Sequence, residues 1–204
     1  MRFPYIPRFL QRLLSKHIVC SLPCPGKILY ITFDDGPTPE TTPGILEILR
    51  KYDAKATFFC VGENVKQYPG LFQQLLDEKH AVGNHTMHHL HGWKTSCKKY
   101  ADDINEARAY IESPFFRPPH GKITWKQFQR VKREFQVVLW TVISYDFDKK
   151  LTPEQCFQYV VRHAKSGDIV VFHDNEKAFE RTCVALDKVL EYFHRRGFCF
   201  RVLQ

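Results

Sequence analysis

The sequence lacks two features that would tie the chain to a membrane or direct it out of the cell. It contains no apolar stretch of the roughly 18 or more residues that a membrane-spanning helix requires. Its first 20 residues are interrupted by Pro4, Pro7, Arg8, Arg12 and Lys16, so they lack the apolar region of a secretory signal peptide. We therefore expect a cytoplasmic protein, with peripheral membrane contact through the basic N-terminus as the alternative.

Signatures of disulfide scaffolds, nucleic-acid-binding modules and nucleotide-binding folds are also missing. The seven cysteines are odd in number and scattered, and no second close pair joins Cys20 and Cys24 to complete a zinc site, so we expect reduced thiols. Without zinc-finger spacing or an aromatic-basic RNA signature, no nucleic-acid partner is expected. No glycine-rich phosphate loop follows the first predicted strand, which argues against a Rossmann fold.

What is present fits one globular domain. With 204 residues, of which 44% are hydrophobic and 25% charged, the chain is long enough to bury a core. Its net charge is +8, and residues 1–27 carry five Lys or Arg and no Asp or Glu. We interpret residues 1–26 as a basic segment that packs on the domain and residues 27–204 as the domain itself. No repeat or linker divides the chain, and we expect a monomer.

From Lys27 onward, short β-branched or aromatic runs alternate with segments of helical periodicity. Seven runs are predicted strands: 27–33, 56–61, 81–83, 115–117, 136–144, 168–172 and 198–203. The clearest is 136–144, which is predicted as a single buried strand. Because strands that alternate with helices usually pair in parallel, the order predicts a parallel α/β sheet, either open or closed into a barrel.

Polar side chains of possible functional interest follow five of the predicted strands. These residues are Asp34 and Asp35, His85 and His89, Arg117, Asp146, and His173. In parallel α/β folds the carboxyl ends of the strands lie at one edge, and active sites assemble there. We therefore expect the five groups to meet in one cleft.

Taken by themselves, these carboxylates and histidines leave alternatives open. Residues 34–37 (Asp-Asp-Gly-Pro) also have the composition of a polar turn. His85 and His89 are four apart, so one helical turn would direct both imidazoles to the same side, and two histidines with one carboxylate make a facial metal triad. His88 and His91 would share a helical face equally well, and a surface histidine cluster without a metal is a further alternative.

Short motifs in order along the chain resemble those of the polysaccharide deacetylase family (NodB-homology domain, carbohydrate esterase family 4). Residues 32–37 match the first motif, Thr-Phe-Asp-Asp-Gly-Pro, letter for letter. Residues 85–89 match the second, His-Ser/Thr-x-x-His, which selects His85 and His89 over the other histidines. Residues 171–173 match the fifth, so the resemblance extends over nearly the whole predicted domain.

Two of the five motifs depart from the family pattern. Residues 117–121 match the third motif, Arg-x-Pro-Tyr/Phe-Gly, except that His120 stands at the aromatic position. Residues 144–147 resemble the fourth, with Phe147 where Trp is common, and Ile143 precedes them where Asp often stands. None of these departures affects the residues that the resemblance assigns to the metal, the base or the acid.

The resemblance implies a distorted, seven-stranded (β/α) barrel and a metal site at its C-terminal edge. By family precedent, Asp35, His85 and His89 bind a divalent metal, usually zinc, with cobalt or nickel as alternatives. Asp34 stays off the metal as the general base, and Arg117 orients it and keeps it ionised.

The same resemblance assigns the remaining site residues. His173 protonates the leaving amine, and Asp146 orients it and favours its charged form. The backbone N–H of His120 stabilises the oxyanion together with the metal. Pro119 and Phe147 are placed with the substrate, where Phe147 keeps an apolar platform.

The expected function is metal-dependent removal of acetyl groups from N-acetylated carbohydrate, an N-acetylglucosamine-type polymer or oligomer. One alternative is O-acetyl esterase activity on acetylated polysaccharide, since ester and amide hydrolysis use the same triad. A non-catalytic carbohydrate-binding relative is a third hypothesis, disfavoured because Asp34, Asp35, His85, His89 and His173 are all present.

Overall fold

A computed structural model describes residues 18–204, which form a half-barrel of parallel strands flanked by helices. The strands are β1 (Ile18–Val19), β2 (Ile28–Asp34), β3 (Ala56–Cys60), β4 (Ala81–Asn84), β5 (Phe115–Phe116), β6 (Gln136–Val138), β7 (Val142–Ile143), β8 (Ile169–His173) and β9 (Cys199–Phe200). The α-helices are α1 (Thr42–Lys51), α2 (Gly62–Gln67), α3 (Pro69–Asp77), α4 (Cys97–Arg108), α5 (Trp125–Val131), α6 (Pro153–His163) and α7 (Phe179–His194). Short 3-10 turns span Gly92–Lys94 and Pro119–Gly121.

The sheet has the strand order β1-β6-β5-β4-β3-β2-β8-β7, and β9 pairs with β2 beside this path. Every strand pair is parallel, so the carboxyl ends of the strands lie at one edge. Strand β2 lies near the centre, buried almost throughout, and its register places Asp34 beside Phe59 of β3 and His173 of β8. The predicted fold class, a distorted (β/α) barrel, is confirmed.

The predicted number of seven strands is wrong, because the segment 136–144 is not one strand. It divides into β6, which pairs with β1 and β5, and β7, which pairs with β8 at the other end of the sheet. Between them the carbonyls of Val138 and Leu139 accept hydrogen bonds from the Arg117 guanidinium. The chain therefore leaves the second strand from one end of the sheet and rejoins the sheet as the last strand at the opposite end. Strand β1 is a further addition, so the described residues form nine strands.

The helices cover the sheet with apolar faces, and three of the seven described helices begin with a side-chain cap. Ile45, Leu46 and Leu49 of α1 are buried in the same core cluster as residues of β2, β3 and β8. Helices α5 and α6 begin with capping boxes, in which Thr124 and Thr152 accept hydrogen bonds from the backbone three residues later. These local signals fix the helix starts and so the lengths of the loops at the carboxyl edge.

The predicted basic segment, residues 1–26, is only partly covered by the described structure. Residues 1–17 lie outside it, so the segment's packing, its membrane contact and the boundary at residue 27 stay predictions. Ile18 and Val19 form β1 and pair with Val137 and Val138. Within residues 18–204, no helix has the length and apolar character needed to cross a membrane.

Candidate active site

The end of β2 places two adjacent carboxylates in different surroundings. Asp34 is buried, at 5% exposure, and is the last residue of the strand. At Asp35 the backbone turns into the left-handed region (φ 85°), which sends the second carboxylate away from the first. The Asn64 side chain donates to the Asp35 carbonyl at 2.7 Å and supports this conformation.

The histidine motif lies on a loop, so the predicted helical turn between His85 and His89 is wrong. The loop follows β4 and has left-handed backbone at Thr86 (φ 66°) and His89 (φ 52°). Asp103 of α4 holds the loop: its carboxylate accepts from the backbone N–H of Met87 at 2.8 Å and contacts the His88 ring at 2.6 Å. The loop nevertheless directs His85 and His89 to the same side, with ring centroids 5.1 Å apart.

Asp35, His85 and His89 converge on one point. The Asp35 Oδ1 atom lies 3.1 Å from His89 Nε2 and 3.6 Å from His85 Nε2. One ligand atom from each of the three lies within 4.8 Å of the others. The arrangement is compatible with a metal site and follows the pairing of His85 with His89 rather than of His88 with His91.

The protonation states of this group suit a cation. His85 Nδ1 lies 2.7 Å from the Arg117 carbonyl, so it carries the ring proton and leaves a lone pair on Nε2. Burial lowers the pKa of His85 to about 4, which keeps the ring neutral. Burial opposes ionisation of Asp35, but the hydrogen bond with His89 and the nearby histidines hold its pKa well below the usual range. Two imidazoles and one carboxylate are a donor set found in catalytic zinc sites.

Asp34 is held apart from this group by Arg117. The Arg117 side chain is fully buried, and its Nη1 donates to Asp34 Oδ1 at 2.6 Å and to Thr32 Oγ1 at 2.8 Å. The guanidinium lies 4.0 Å from the centre of the Phe59 ring. Asp34 Oδ2 stays free of Arg117 and lies 4.0 Å from His85 Nε2. One oxygen of Asp34 thus accepts a hydrogen bond from Arg117, while the other faces the cleft.

A second ionic pair stands at the ends of β7 and β8. His173 Nδ1 lies 2.7 Å from Asp146 Oδ1. The other Asp146 oxygen accepts from the His173 backbone N–H and from the Thr182 hydroxyl, both at 2.7 Å. Burial opposes the charged form of His173, but Asp146, Asp35 and Asp34 outweigh it and raise its pKa to about 9. His173 is therefore an imidazolium at neutral pH.

One cleft of about 860 Å³ is lined by Asp34, Asp35, His85, His89 and His173, whereas their partners Arg117 and Asp146 are fully buried and do not line it. His120 and Phe147 both line it, and the Phe147 ring contacts the His173 ring with centroids 4.9 Å apart. His120 has left-handed backbone (φ 59°) and packs its ring against His89 at 4.6 Å. Pro119 is buried beside the cleft-lining residue His120, so its contact with a substrate stays a prediction.

Comparison with known proteins assigns the chain to a family. The family model described as polysaccharide deacetylase matches residues 22–137. The chain belongs to the polysaccharide deacetylase family. It is 39% identical over 194 residues to a peptidoglycan-N-acetylglucosamine deacetylase of Bacillus cereus, with 90% of each chain covered. It is 31% identical over 194 residues to a chitooligosaccharide deacetylase of Azorhizobium caulinodans, covering 86% of this chain and 92% of that protein.

A solved structure extends the likeness to three dimensions. The crystal structure of a peptidoglycan N-acetylglucosamine deacetylase in complex with a naphthalenyl-substituted N-hydroxybenzamide aligns with a TM-score of 0.87. The two sequences are 28% identical, and 94% of each chain is covered. The half-barrel of this member of the polysaccharide deacetylase family is therefore also the fold of a peptidoglycan N-acetylglucosamine deacetylase.

Several residues at the site were not identified from the sequence. Asn64 and Asn175 both donate to Asp35, Asp103 holds the histidine loop, and Thr182 donates to Asp146. All four act through hydrogen bonds to residues distant in sequence, and none belongs to the motifs. Only Asn175 carried a local signal, since it stands two residues after His173.

Proposed function

We propose that this polysaccharide deacetylase uses a divalent metal, with zinc as the first candidate, to remove acetyl groups from N-acetylglucosamine-type carbohydrate. The observation that carries the proposal is that three separate groups of side chains meet at one cleft. Asp35, His85 and His89 converge on one point. Asp34 is paired with Arg117, and His173 with Asp146. Metal-assisted hydrolysis of an amide uses all three: a Lewis acid, a base and an acid.

Asp35 Oδ1 and the Nε2 atoms of His85 and His89 would hold the metal. When bound, the metal supplies Lewis acidity that lowers the pKa of a water molecule and polarises the acetyl carbonyl. Three protein ligands leave coordination positions open for water and substrate, as catalytic sites require. The Asp103 contacts support this set, because they fix the backbone of the loop that carries both histidines.

Asp34 and His173 divide the proton transfers. Asp34 takes the proton of the attacking water at Oδ2, since its Oδ1 is engaged by Arg117. The ion pair with the buried guanidinium holds the carboxylate in position for that step. His173 gives a proton from Nε2 to the departing amine, because its Nδ1 is held by Asp146. The opposite charges of the two groups suit them for opposite roles.

The backbone N–H of His120 and the ring of Phe147 complete the site. We assign the His120 N–H to the oxyanion, where a fixed donor acts without reorganisation. Because this donor belongs to the backbone, His at position 120 retains it. Phe147 is 43% exposed and contacts His173, so it offers an apolar surface beside the acid.

N-deacetylation is preferred over O-acetyl ester hydrolysis. The similar proteins include a peptidoglycan-N-acetylglucosamine deacetylase and a chitooligosaccharide deacetylase, and both names specify N-acetylated sugars. An amine leaving group also needs a proton, which the charged His173 supplies. An ester needs such an acid less, because its leaving alcohol is less basic.

The test is acetate release from N-acetylchitooligosaccharides and from acetylated xylan, each with the chelated protein and after addition of zinc or cobalt. We expect acetate from the chitooligosaccharides only with metal, and less from xylan. Release from xylan alone would select the esterase alternative. No release from either substrate at saturating metal would overturn the enzymatic proposal and favour a carbohydrate-binding relative.

A further inference from the structure

The two carboxylate oxygens of Asp35 have different partners. Oδ1 faces both imidazoles, at 3.1 Å from His89 Nε2 and 3.6 Å from His85 Nε2. Oδ2 accepts a hydrogen bond of 2.6 Å from the side-chain amide of Asn175. The carboxylate therefore presents one oxygen to the centre of the site while the other is engaged.

The orientation of the Asn175 amide is fixed by the chain that follows it. Its Oδ1 accepts from the backbone N–H of Ala178 at 3.1 Å, and its backbone carbonyl accepts from Ala178 and Phe179, just before and at the start of α7. With Oδ1 engaged in this way, Nδ2 is the atom that faces Asp35. Asn175 thus links the start of α7 to the carboxylate, and the helix supports its position.

We propose that Asn175 is a positioning residue that restricts Asp35 to a single coordinating oxygen. The inference rests on the proposed metal-dependent function. A carboxylate that can rotate binds a metal through one or both oxygens, and the second oxygen would fill a position that water or the acetyl group needs. The Asn175 donor removes this option, because Oδ2 would have to give up a short hydrogen bond.

Hydrogen bonds to ligating groups also raise metal affinity. Removing such a partner typically costs about 10- to 100-fold in affinity or activity. Asn175 is half-buried and lines the cleft, so water competes for Asp35 Oδ2 once the amide is gone. Without the amide, the Asp35 carboxylate is not held in place before the metal binds. Ordering it during binding lowers the metal affinity.

The two interactions of Asn175 are separable by substitution. Asn175→Ser keeps a side-chain oxygen that accepts from Ala178 N–H, but its hydroxyl is too short to reach Asp35. Asn175→Ala loses both interactions. Thr152→Ala, which removes the side-chain cap of helix α6 at a residue that does not line the cleft, is the matched control for the loss of a helix cap alone.

The experiment measures the zinc dissociation constant by competition with a chromogenic chelator, together with the thermal midpoint of the metal-free protein. For Asn175→Ser we expect a dissociation constant raised about 10- to 100-fold, with the metal-free midpoint close to that of wild type. Thr152→Ala should lower the midpoint and leave the dissociation constant unchanged.

Zinc affinity is measured without substrate, so the result does not depend on acetate release. A dissociation constant for Asn175→Ser within about threefold of wild type would overturn the role of Asn175, and leave the proposed function standing. The role of Asn175 would also be overturned, and the proposed function would stand, if Asn175→Ser weakened zinc binding only in proportion to a lower thermal midpoint of the metal-free protein. A wild-type protein that binds no zinc, cobalt or nickel would overturn the proposed function itself, and the inference with it.

Discussion

Replacing Asp146 with Asn should move the alkaline limit of activity to lower pH. Asp146 Oδ1 lies 2.7 Å from His173 Nδ1, and its other oxygen accepts from the His173 N–H and the Thr182 hydroxyl. Because these two donors need an oxygen, the new amide NH₂ must face His173 Nδ1. Donation from this amide to Nδ1 favours a neutral ring with its proton on Nε2. The substitution also removes the carboxylate charge that raises the pKa of His173.

The size of the effect follows from the two pKa values. With a pKa of about 9, His173 is about nine-tenths charged at pH 8, and the charged form is lost only as the pH rises through 9. Without Asp146, burial still lowers the pKa of His173 while Asp35 and Asp34 still raise it, so the pKa should fall from about 9 toward its ordinary value of 6.5. At a pKa of 6.5 the charged fraction at pH 8 is about 3%, so the protonation step should lose up to about 30-fold.

The assay is the pH profile of kcat for acetate release between pH 5.5 and 10, for wild type, Asp146→Asn and Thr182→Val. Thr182→Val removes one hydrogen bond to Asp146 but leaves its charge, so its alkaline limit should stay near pH 9. If Asp146→Asn lowers kcat by the same factor at every pH, His173 is not the titrating acid, and its assignment fails.

Two predictions concern stability and are checked by urea unfolding of the metal-free protein. Arg117→Met removes the donor to Asp34 and leaves a buried carboxylate uncompensated, which should cost about 3–5 kcal/mol and abolish turnover; a loss below about 1 kcal/mol would mean that water reaches the pair. Gly36→Ala builds a Cβ 2.1 Å from Asp174 Oδ2 and should cost about 1–3 kcal/mol. Gly70→Ala is its control, since nothing lies within 4 Å there, and equal effects of the two would refute the steric argument.

The sequence predicted which residues meet because strand ends carry positional information. Asp34 and His173 end adjacent parallel strands, so their proximity follows from the sheet alone. Arg117 follows β5 and reaches Asp34 across the carboxyl edge. The alternation of β-branched or aromatic runs with helical periodicity was sufficient for this level of the fold.

Backbone details beyond those patterns could not be predicted. Spacing of four suggested a helical turn for His85 and His89, but the loop adopts left-handed backbone at Thr86 and His89, held by the distant Asp103. The apolar run 136–144 resembled one strand, since periodicity does not reveal where a chain changes its neighbours. Such features depend on tertiary contacts, which a single sequence does not display.

Zinc content and acetate release, measured on the same preparations of Asp34→Asn and Asp35→Ala, test the central claim most directly. The two residues are adjacent, yet only Asp35 faces both imidazoles, while Asp34 is bound to Arg117. We expect Asp34→Asn to bind zinc as wild type does and to lose about 10²- to 10⁴-fold in kcat, the usual contribution of a general base. Asp35→Ala should lose the zinc. Full activity of Asp34→Asn, or undiminished zinc in Asp35→Ala, would contradict this division between the two carboxylates.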